Sequence, residues 1–268
     1  MSTSVELTAA LLRVRAREVV GYLRFLELAL ENDSFIDSKR ANRRLVLAKR
    51  VTHTLKANLY LLLYSAMEAT LVQLLDEMHD AIGKNCKGVD QLNRRLLMAI
   101  TQHFKQRKGG LERLDIKAPF HETLFSVWIK DWQALTKAKD KRTSSISGNV
   151  DSRAIADQLR RFGVVDNDEE KAPSHLSSEA LLKAKNRRNQ LAHGERSFAE
   201  MGRELGFEEL KNDAKNVFKI LSAVMKDVDE FLQNRRYLAD PQSASAPATC
   251  VTRATTSIVD APAATIEA

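Results

Sequence analysis

The feature that most constrains this chain is helical periodicity that continues for long stretches with almost no chain-breaking residue. No proline occurs before position 119, and the 268 residues include only ten glycines and five prolines. Apolar residues recur mostly at intervals of three and four from Val5 to Glu31, and again from about Ser38 to Ile82. Because sandwiches, barrels and glycine-loop nucleotide folds need frequent turns, the pattern predicts an all-α fold.

Local signals predict where the helices lie. The run from Leu59 to Leu75 is apolar nearly all round, so it is expected to form the centre of the core. Asp151 is predicted to cap a helix that ends near Gly163. Further helices are predicted over 88–104 and 207–237, whereas 124–135 fits a helix or a strand equally well.

The segment that precedes the last helix has its own start and stop signals. Ser177 or Ser178 is predicted to cap a helix that Gly194 ends, and Ser197 and Glu200 form a capping-box pattern for the next one. We expect loops at 105–110, 137–148 and 164–174. Residues 1–239 are predicted to form one domain, and the Ala/Thr/Ser/Pro-rich residues 240–268 a disordered tail.

Composition narrows the class of protein. Hydrophobic residues make up 44% of the chain and charged residues 29%, as in soluble globular proteins. The net charge of +7 is compatible with a polyanionic partner, although scattered lysines would produce the same total. No signal peptide is evident, and the apolar run is too short to span a bilayer. A cytoplasmic protein without a membrane partner is therefore expected.

The chain lacks the common metal and cofactor motifs. There are two cysteines and six histidines, with no Cys-x2-Cys, His-x3-His or His-Glu-x-x-His spacing. Glycine-rich phosphate loops and a Gly-x-Ser-x-Gly elbow are also missing. We therefore expect no bound metal and no cofactor.

One polar segment stands out, Lys185-Asn-Arg-Arg-Asn-Gln-Leu-Ala-His-Gly-Glu195. It places Arg188 five positions before His193, at the predicted C-terminal end of a helix. Asn189 lies four residues before His193 and therefore on the same helical face. Residue types alone leave open a solvated helix end or a reactive site.

The stretch from Arg188 to Gly194 resembles the Arg-x4-6-His signature of HEPN domains (higher eukaryotes and prokaryotes nucleotide-binding), and especially the MAE-like HEPN nuclease family. Residues 58–68, 147–151 and 195–198 agree with the resemblance in order, so it covers about residues 40–235. It implies an all-α HEPN bundle that forms homodimers. It also implies a metal-independent endoribonuclease of a bacterial toxin–antitoxin or phage-defence system, with an antitoxin or defence protein as partner.

The segment suits RNA cleavage without a metal. Such cleavage needs a base for the 2′-hydroxyl proton, an acid for the leaving 5′-oxygen and positive charge beside the phosphorane. His193 is the predicted acid–base group, since imidazole titrates near neutral pH. Arg188 is predicted to grip the phosphate, and Asn189 to orient the imidazole or contact the RNA. The expected product carries a 2′,3′-cyclic phosphate.

Helical spacing adds two expectations. Arg188 and His193 lie about 140° apart around an ideal helix, so two copies related by a two-fold axis would complete one cleft. Glu68 follows Tyr60 and Tyr64 at four-residue intervals inside the apolar run. A carboxylate there is costly unless paired, so Glu68 is expected to pair with Arg188 or with an unrelated lysine.

Lys185 and Glu195 flank the segment and are predicted to support it, whether it cuts RNA or only binds it.

Two other hypotheses about function remain open. The alternative function is a non-catalytic module that binds a nucleotide or a partner protein through the same surface. A third possibility is a helical scaffold in which the motif is accidental.

Overall fold

The structure is a computed structural model that describes residues 4–31, 35–38, 43–106, 119–137, 150–165, 174–177 and 179–240. In these residues it contains eight α-helices and one small β-hairpin, which confirms the all-α class. The helices are α1 (Glu6–Ala29), α2 (Lys49–Asn85), α3 (Arg94–Gln106), α4 (Phe120–Lys137), α5 (Ser152–Phe162), α6 (Ala180–Ala192), α7 (Phe198–Glu204) and α8 (Phe207–Gln233). Strands β1 (Phe35–Ser38) and β2 (Arg43–Val46) pair antiparallel, with Phe35 opposite Val46.

Helix α2 forms the centre of the core, as its apolar composition predicts. It packs against α1, α4, α6, α7 and α8. Leu59, Leu63 and Met67 are fully buried among these neighbours. By length and composition alone α2 is also apolar enough to cross a membrane. However, 56% of its most apolar 18-residue stretch is buried inside the protein, as in a core helix.

The start of α1 is held by a carboxylate from α2. Glu77 accepts hydrogen bonds at 2.8 Å from the backbone amides of Leu7 and Thr8, and a third from the Thr8 hydroxyl. The first amides of a helix have no partner inside it, so a carboxylate at that end satisfies them and suits the helix dipole. Glu77 therefore fixes the N-terminal end of α1 on the core.

Helix α7 approaches α2 closely because a glycine faces it. A Cβ atom at Gly202 would lie 1.8 Å from the His53 carbonyl oxygen. Close by, the buried ammonium of Lys56 donates a hydrogen bond of 2.5 Å to the Leu205 carbonyl at the end of α7. Only a residue without a side chain allows this approach.

The end of α8 returns to the start of α3. The Asn93 amide donates to the Tyr237 carbonyl at 2.8 Å, and the Ala239 amide donates to the Gln91 carbonyl at 2.9 Å. Helix α3 then packs against α5. Two backbone hydrogen bonds therefore join the last described residues to the α3–α5 pair.

Several predicted helix signals are confirmed. The Asp151 side chain accepts from the Ala154 amide at 2.8 Å, and Gly163 ends α5 in the left-handed region with φ +80°. Ser197 and Glu200 form the expected capping box at the start of α7.

Other helix boundaries are wrong. The helix expected to start near Ser38 begins at Lys49, because residues 43–46 pair with β1 instead. Periodicity treats a segment in isolation, and this pairing depends on a partner strand. Ser177 ends a 3-10 helix, and the other predicted cap, Ser178, lies outside the described residues. Glu179, already helical, occupies the N-cap position of α6 without a side-chain capping bond.

The remaining segments correct or complete the predictions. Residues 88–104 split into a 3-10 helix (Val89–Gln91) and α3, and the ambiguous 124–135 lies within helix α4. Of the loops predicted at 105–110, 137–148 and 164–174, residues 105–106 belong to α3, residue 137 belongs to α4 and residue 174 begins a 3-10 helix. The stretches 107–110, 138–148 and 166–173, and the tail from 241, lie outside the described residues.

Candidate active site at the end of helix α6

The end of α6 presents His193 to solvent. His193 is the C-cap residue directly after Ala192, and its amide donates to the Asn189 carbonyl at 2.9 Å. Gly194 follows with φ +71° and donates to the Leu191 carbonyl at 3.3 Å, so the predicted stop is confirmed. The imidazole is exposed and has no side-chain partner among the residues that the structure describes. It is therefore accessible to a ligand.

Arg188 is half-buried and held in place by two neighbours. One guanidinium nitrogen, Nη1, donates to Asn189 Oδ1 at 2.9 Å. The guanidinium carbon also lies 4.6 Å from the centre of the Tyr64 ring. A cation over an aromatic face is attracted by the ring quadrupole. The guanidinium is thus oriented before any ligand arrives, and its remaining donors can bind an anion.

Tyr64 is itself fixed from the other side. Its hydroxyl accepts a hydrogen bond of 3.2 Å from the amide of Val150, which is fully buried just before α5. Burial raises the pKa of Tyr64, so the phenol stays neutral at physiological pH. Tyr64 therefore acts as a rigid support between Arg188 and the start of α5.

Lys185 connects the motif helix directly to α5. Its ammonium lies 2.5 Å from Asp151 Oδ2, and both side chains are more than four-fifths buried. Burial opposes the ionisation of Asp151, but the hydrogen bonds from Lys185 and the Ala154 amide outweigh it and hold the pKa of that carboxyl below its usual value. One carboxylate thus caps α5 and anchors α6.

A second ionic cluster holds the first half of α6 against α8. The Lys183 ammonium lies 2.7 Å from both Glu209 and Asp213, and the Tyr60 hydroxyl donates to Asp213 at 2.6 Å. Burial raises the pKa of Tyr60, with the Asp213 carboxylate acting in the same direction. Helix α6 is therefore fixed on two sides before it reaches the exposed motif.

The structure places the predicted site residues in two groups. Arg188 and Asn189 are hydrogen-bonded side chain to side chain, whereas His193 lies apart at the helix end. Asn189 Oδ1 therefore accepts a hydrogen bond from Arg188, and the described residues show no hydrogen bond between Asn189 and the imidazole. Glu195 is exposed, and its amide donates to the Gln190 carbonyl at 3.0 Å.

Glu68 lies beside this arrangement. It is half-buried on α2, one turn from Tyr64, and its charge raises the pKa of that phenol. The described contacts of Arg188 are with Asn189 and Tyr64, so a pair between Glu68 and Arg188 stays a prediction.

The described residues contain no group of three or more histidine, cysteine or carboxylate side chains placed to hold a metal ion.

Sequence reasoning missed the supporting residues. Tyr64 was recognised only as part of a polar stripe with Tyr60, and Asp151 only as a helix cap. The signal for Tyr64 was an aromatic residue with a hydroxyl inside the apolar run from Leu59 to Leu75. Nothing in the spacing of Asp151 and Lys185, which are 34 residues apart, predicts that they meet.

Comparison with known proteins adds a family to this geometry. No curated protein and no solved structure matches the chain. The family model described as HEPN_MAE_28990, or MAE_28990-like HEPN, matches residues 9–237. This match includes the whole of α6 and every helix that supports it. The chain therefore belongs to the MAE-like family of the HEPN superfamily.

Proposed function

We propose that this protein is a metal-independent endoribonuclease of the HEPN type. The observation that carries the proposal is that the end of one helix presents both an exposed imidazole, His193, and a guanidinium, Arg188, that Tyr64 and Asn189 hold in advance. HEPN domains are commonly ribonucleases, which supports the same function.

The preset guanidinium suits a reacting phosphate. An arginine is charged at every physiological pH and offers a planar fork of donors to phosphate oxygens. Groups that are oriented before the reaction need no reorganisation as charge develops on the phosphorane. Arg188 is therefore assigned to bind the scissile phosphate and to stabilise its transition state.

The proton transfers are assigned to the imidazole of His193. The 2′-oxygen attacks phosphorus while a neutral imidazole takes its proton, and the bond from phosphorus to the 5′-oxygen breaks as a protonated imidazole donates to that oxygen. The products are a 2′,3′-cyclic phosphate and a free 5′-hydroxyl. One reaction thus uses an acid and a base at the same time.

A homodimer supplies both groups. Each chain contributes one His193, and Arg188 and His193 point to different sides of one helix. A two-fold axis near the end of α6 would bring two guanidinium groups and two imidazoles into one cleft. We therefore propose that the dimer is the active form and that the monomer does not cut RNA.

The test is incubation of the purified protein with total RNA and with tRNA in excess EDTA. The wild type should cut RNA and leave 2′,3′-cyclic phosphate ends, and His193→Ala should leave the RNA intact with unchanged circular dichroism. Absence of cleavage by the wild type would favour the non-catalytic binding module. Cleavage by His193→Ala at the wild-type rate would remove His193 from the mechanism.

A neighbouring arginine offers a matched control. Arg188→Ala should abolish cleavage, whereas Arg187→Ala removes the same charge one position away, on the side of α6 that faces Glu204 and Glu209. Arg187→Ala should therefore retain most of the activity. Equal loss in both variants would mean that the total charge of α6, and not the position of Arg188, matters.

The proposed setting is bacterial defence in the cytoplasm, with an antitoxin or a defence protein as partner. Expression of the wild type without that partner should then arrest growth, and Arg188→Ala should relieve the arrest. Equal toxicity of both forms would contradict this role.

A further inference from the structure

A basic cleft lies between α3 and α5, away from the residues described so far. It has a volume of about 790 Å³. Ten described residues line it, of which four are basic and one is acidic: Arg95, Lys105, Arg160, Arg161 and Asp157. A concave surface with one sign of charge concentrates counter-ions of the other sign. The cleft is therefore suited to an anionic ligand.

Part of this charge has no acidic partner among the residues that the structure describes. Asp157 pairs with Arg160 Nη1 at 3.2 Å, whereas Arg160 Nε is buried without an acceptor in the described part of the chain. No acidic side chain among the described residues pairs with Lys105 or Arg161. Burial lowers the pKa of Arg161, because the surrounding protein disfavours its charge. An anion in the cleft would satisfy these donors and offset that cost.

The residues that line the cleft are spread along its length. On α3, Met98, Thr101, Gln102 and Lys105 line one helical face over about 10 Å, at 1.5 Å per residue. Met98 is 64% exposed, so an apolar surface lies beside the polar side chains. A strand of RNA offers repeated phosphates, sugar hydroxyls and base faces over such a length, which a compact anion does not.

Helix α5 connects the cleft with the candidate active site. Its first turn is tied to α6 through Asp151 and Lys185. Arg160 and Arg161 lie nine and ten residues further on, about 15 Å along the helix. Arg153 is exposed on the same face of α5 as Asp157 and Arg160, at intervals of four and three residues. This face of α5 therefore carries Arg153 and Arg160 with Asp157 between them, a net charge of +1, from the motif end towards the cleft.

We propose that the α3–α5 cleft is a second phosphate-binding site, which holds the backbone of single-stranded RNA next to the segment that is cut at α6. This inference rests on the proposed nuclease function for the identity of its ligand. The site requires no base-specific contact. It raises the affinity for RNA and helps to determine which phosphate reaches Arg188.

The experiment measures binding of a fluorescein-labelled single-stranded RNA by anisotropy in EDTA, over a series of salt concentrations. All proteins carry His193→Ala so that the RNA stays intact. In this background Lys105→Ala with Arg160→Ala should reduce the magnitude of the negative slope of log affinity against log salt by about 1.4. Each lost phosphate contact to a single strand contributes about 0.7 to that magnitude. The corresponding loss of affinity at 0.1 M salt is roughly 25-fold.

Two controls separate the cleft from total charge and from misfolding. Lys219→Ala with Lys226→Ala removes two exposed charges from α8, on another part of the surface, and should leave the slope unchanged. Lys105→Ala alone changes an exposed side chain near the end of α3 and should lower the slope by about 0.7. Circular dichroism of each variant checks the fold.

The outcomes distinguish the two proposals. RNA affinity and salt slope that match the parent in the cleft variants overturn the cleft proposal, even if the wild type cuts RNA. Loss of RNA binding in these variants supports the cleft, even if the wild type cuts nothing and the nuclease proposal fails. Displacement of the RNA by poly-glutamate at equal charge concentration would overturn the choice of RNA and indicate an acidic protein. No RNA binding by any form would overturn both proposals.

Discussion

His193 and His79 have the same side chain in opposite environments. His193 ends α6 in solvent, whereas His79 is fully buried in the second half of α2. The His79 ring stacks on Trp132 at 3.9 Å between centroids and meets Phe162 edge-on. Its Nδ1 lies 2.7 Å from the Leu75 carbonyl and must carry the proton, because a carbonyl oxygen only accepts.

The comparison shows what makes a histidine available for chemistry. Burial lowers the pKa of His79 to about 3, with Arg161 and His103 as further positive charges nearby. His79 is therefore neutral at physiological pH and packs as an aromatic ring. His193 has solvent access, and the helix end leaves its ring free to meet a ligand.

The largest expected effect comes from making the same substitution at both histidines. His193→Gln should lower the rate of RNA cleavage by about 10²–10⁴-fold, the usual contribution of a positioned acid or base. His79→Gln, a matched control, should keep the rate of the folded protein within about threefold. RNA cleavage assays at 25 °C, below the melting temperature of both variants, measure the two rates. A larger loss in His79→Gln would reverse the assignment.

Packing offers a second comparison, between two glycines. Gly202 on α7 lies close to α2, whereas Gly21 on α1 faces open space. Gly202→Ala should lower the free energy of unfolding by about 3 kcal/mol, because its Cβ would overlap the His53 carbonyl and force α7 away from α2. Gly21→Ala meets no atom within 4 Å and should stabilise α1 by about 0.8 kcal/mol. Urea unfolding measures both, and equal values would contradict the close contact at Gly202.

The buried histidine also predicts how stability depends on pH. Its folded pKa lies below the unfolded value of about 6.5, so the unfolded state takes up the proton first as pH falls. The contribution of neutral His79 to the free energy of unfolding is complete above pH 6.5 and is lost progressively towards pH 3. At pH 5 the loss should be about 2 kcal/mol relative to pH 8. The difference in unfolding free energy between wild type and His79→Gln should shrink by that amount, and a constant difference would mean that His79 does not titrate as described.

A smaller loss of stability than at Gly202 is expected at the link between α5 and α6. Asp151→Asn keeps an oxygen for the Ala154 amide but removes the charge opposite Lys185, and should destabilise the protein by about 1 kcal/mol. Because the folded pKa of Asp151 is depressed, its contribution is present above the unfolded pKa of about 3.9 and is lost as pH falls. Thermal melts at pH 7 and pH 3 should therefore differ less between variant and wild type at the lower pH.

Much of the candidate site follows from local sequence. The end of α6 at Gly194, the exposed position of His193 and the caps at Asp151 and Ser197 each depend on a few adjacent residues, and all are present. The start of α2 and the cap of α6 were predicted wrongly. The start of α2 depends on the pairing of β2 with β1, and the cap of α6 depends on the 3-10 helix that precedes it.

What the sequence by itself determined is the all-α class, the central position of α2 and the helix end that carries Arg188, Asn189 and His193. These features follow from periodicity, apolar composition and capping, which act over a few turns. Only the tertiary structure decided that Tyr64 supports Arg188, that Asp151 pairs with Lys185, and that α3 and α5 form a basic cleft. Those contacts join residues from 34 to 124 positions apart, and their spacing along the chain carries no sign of them. Burial and the close packing of separate helices bring them together.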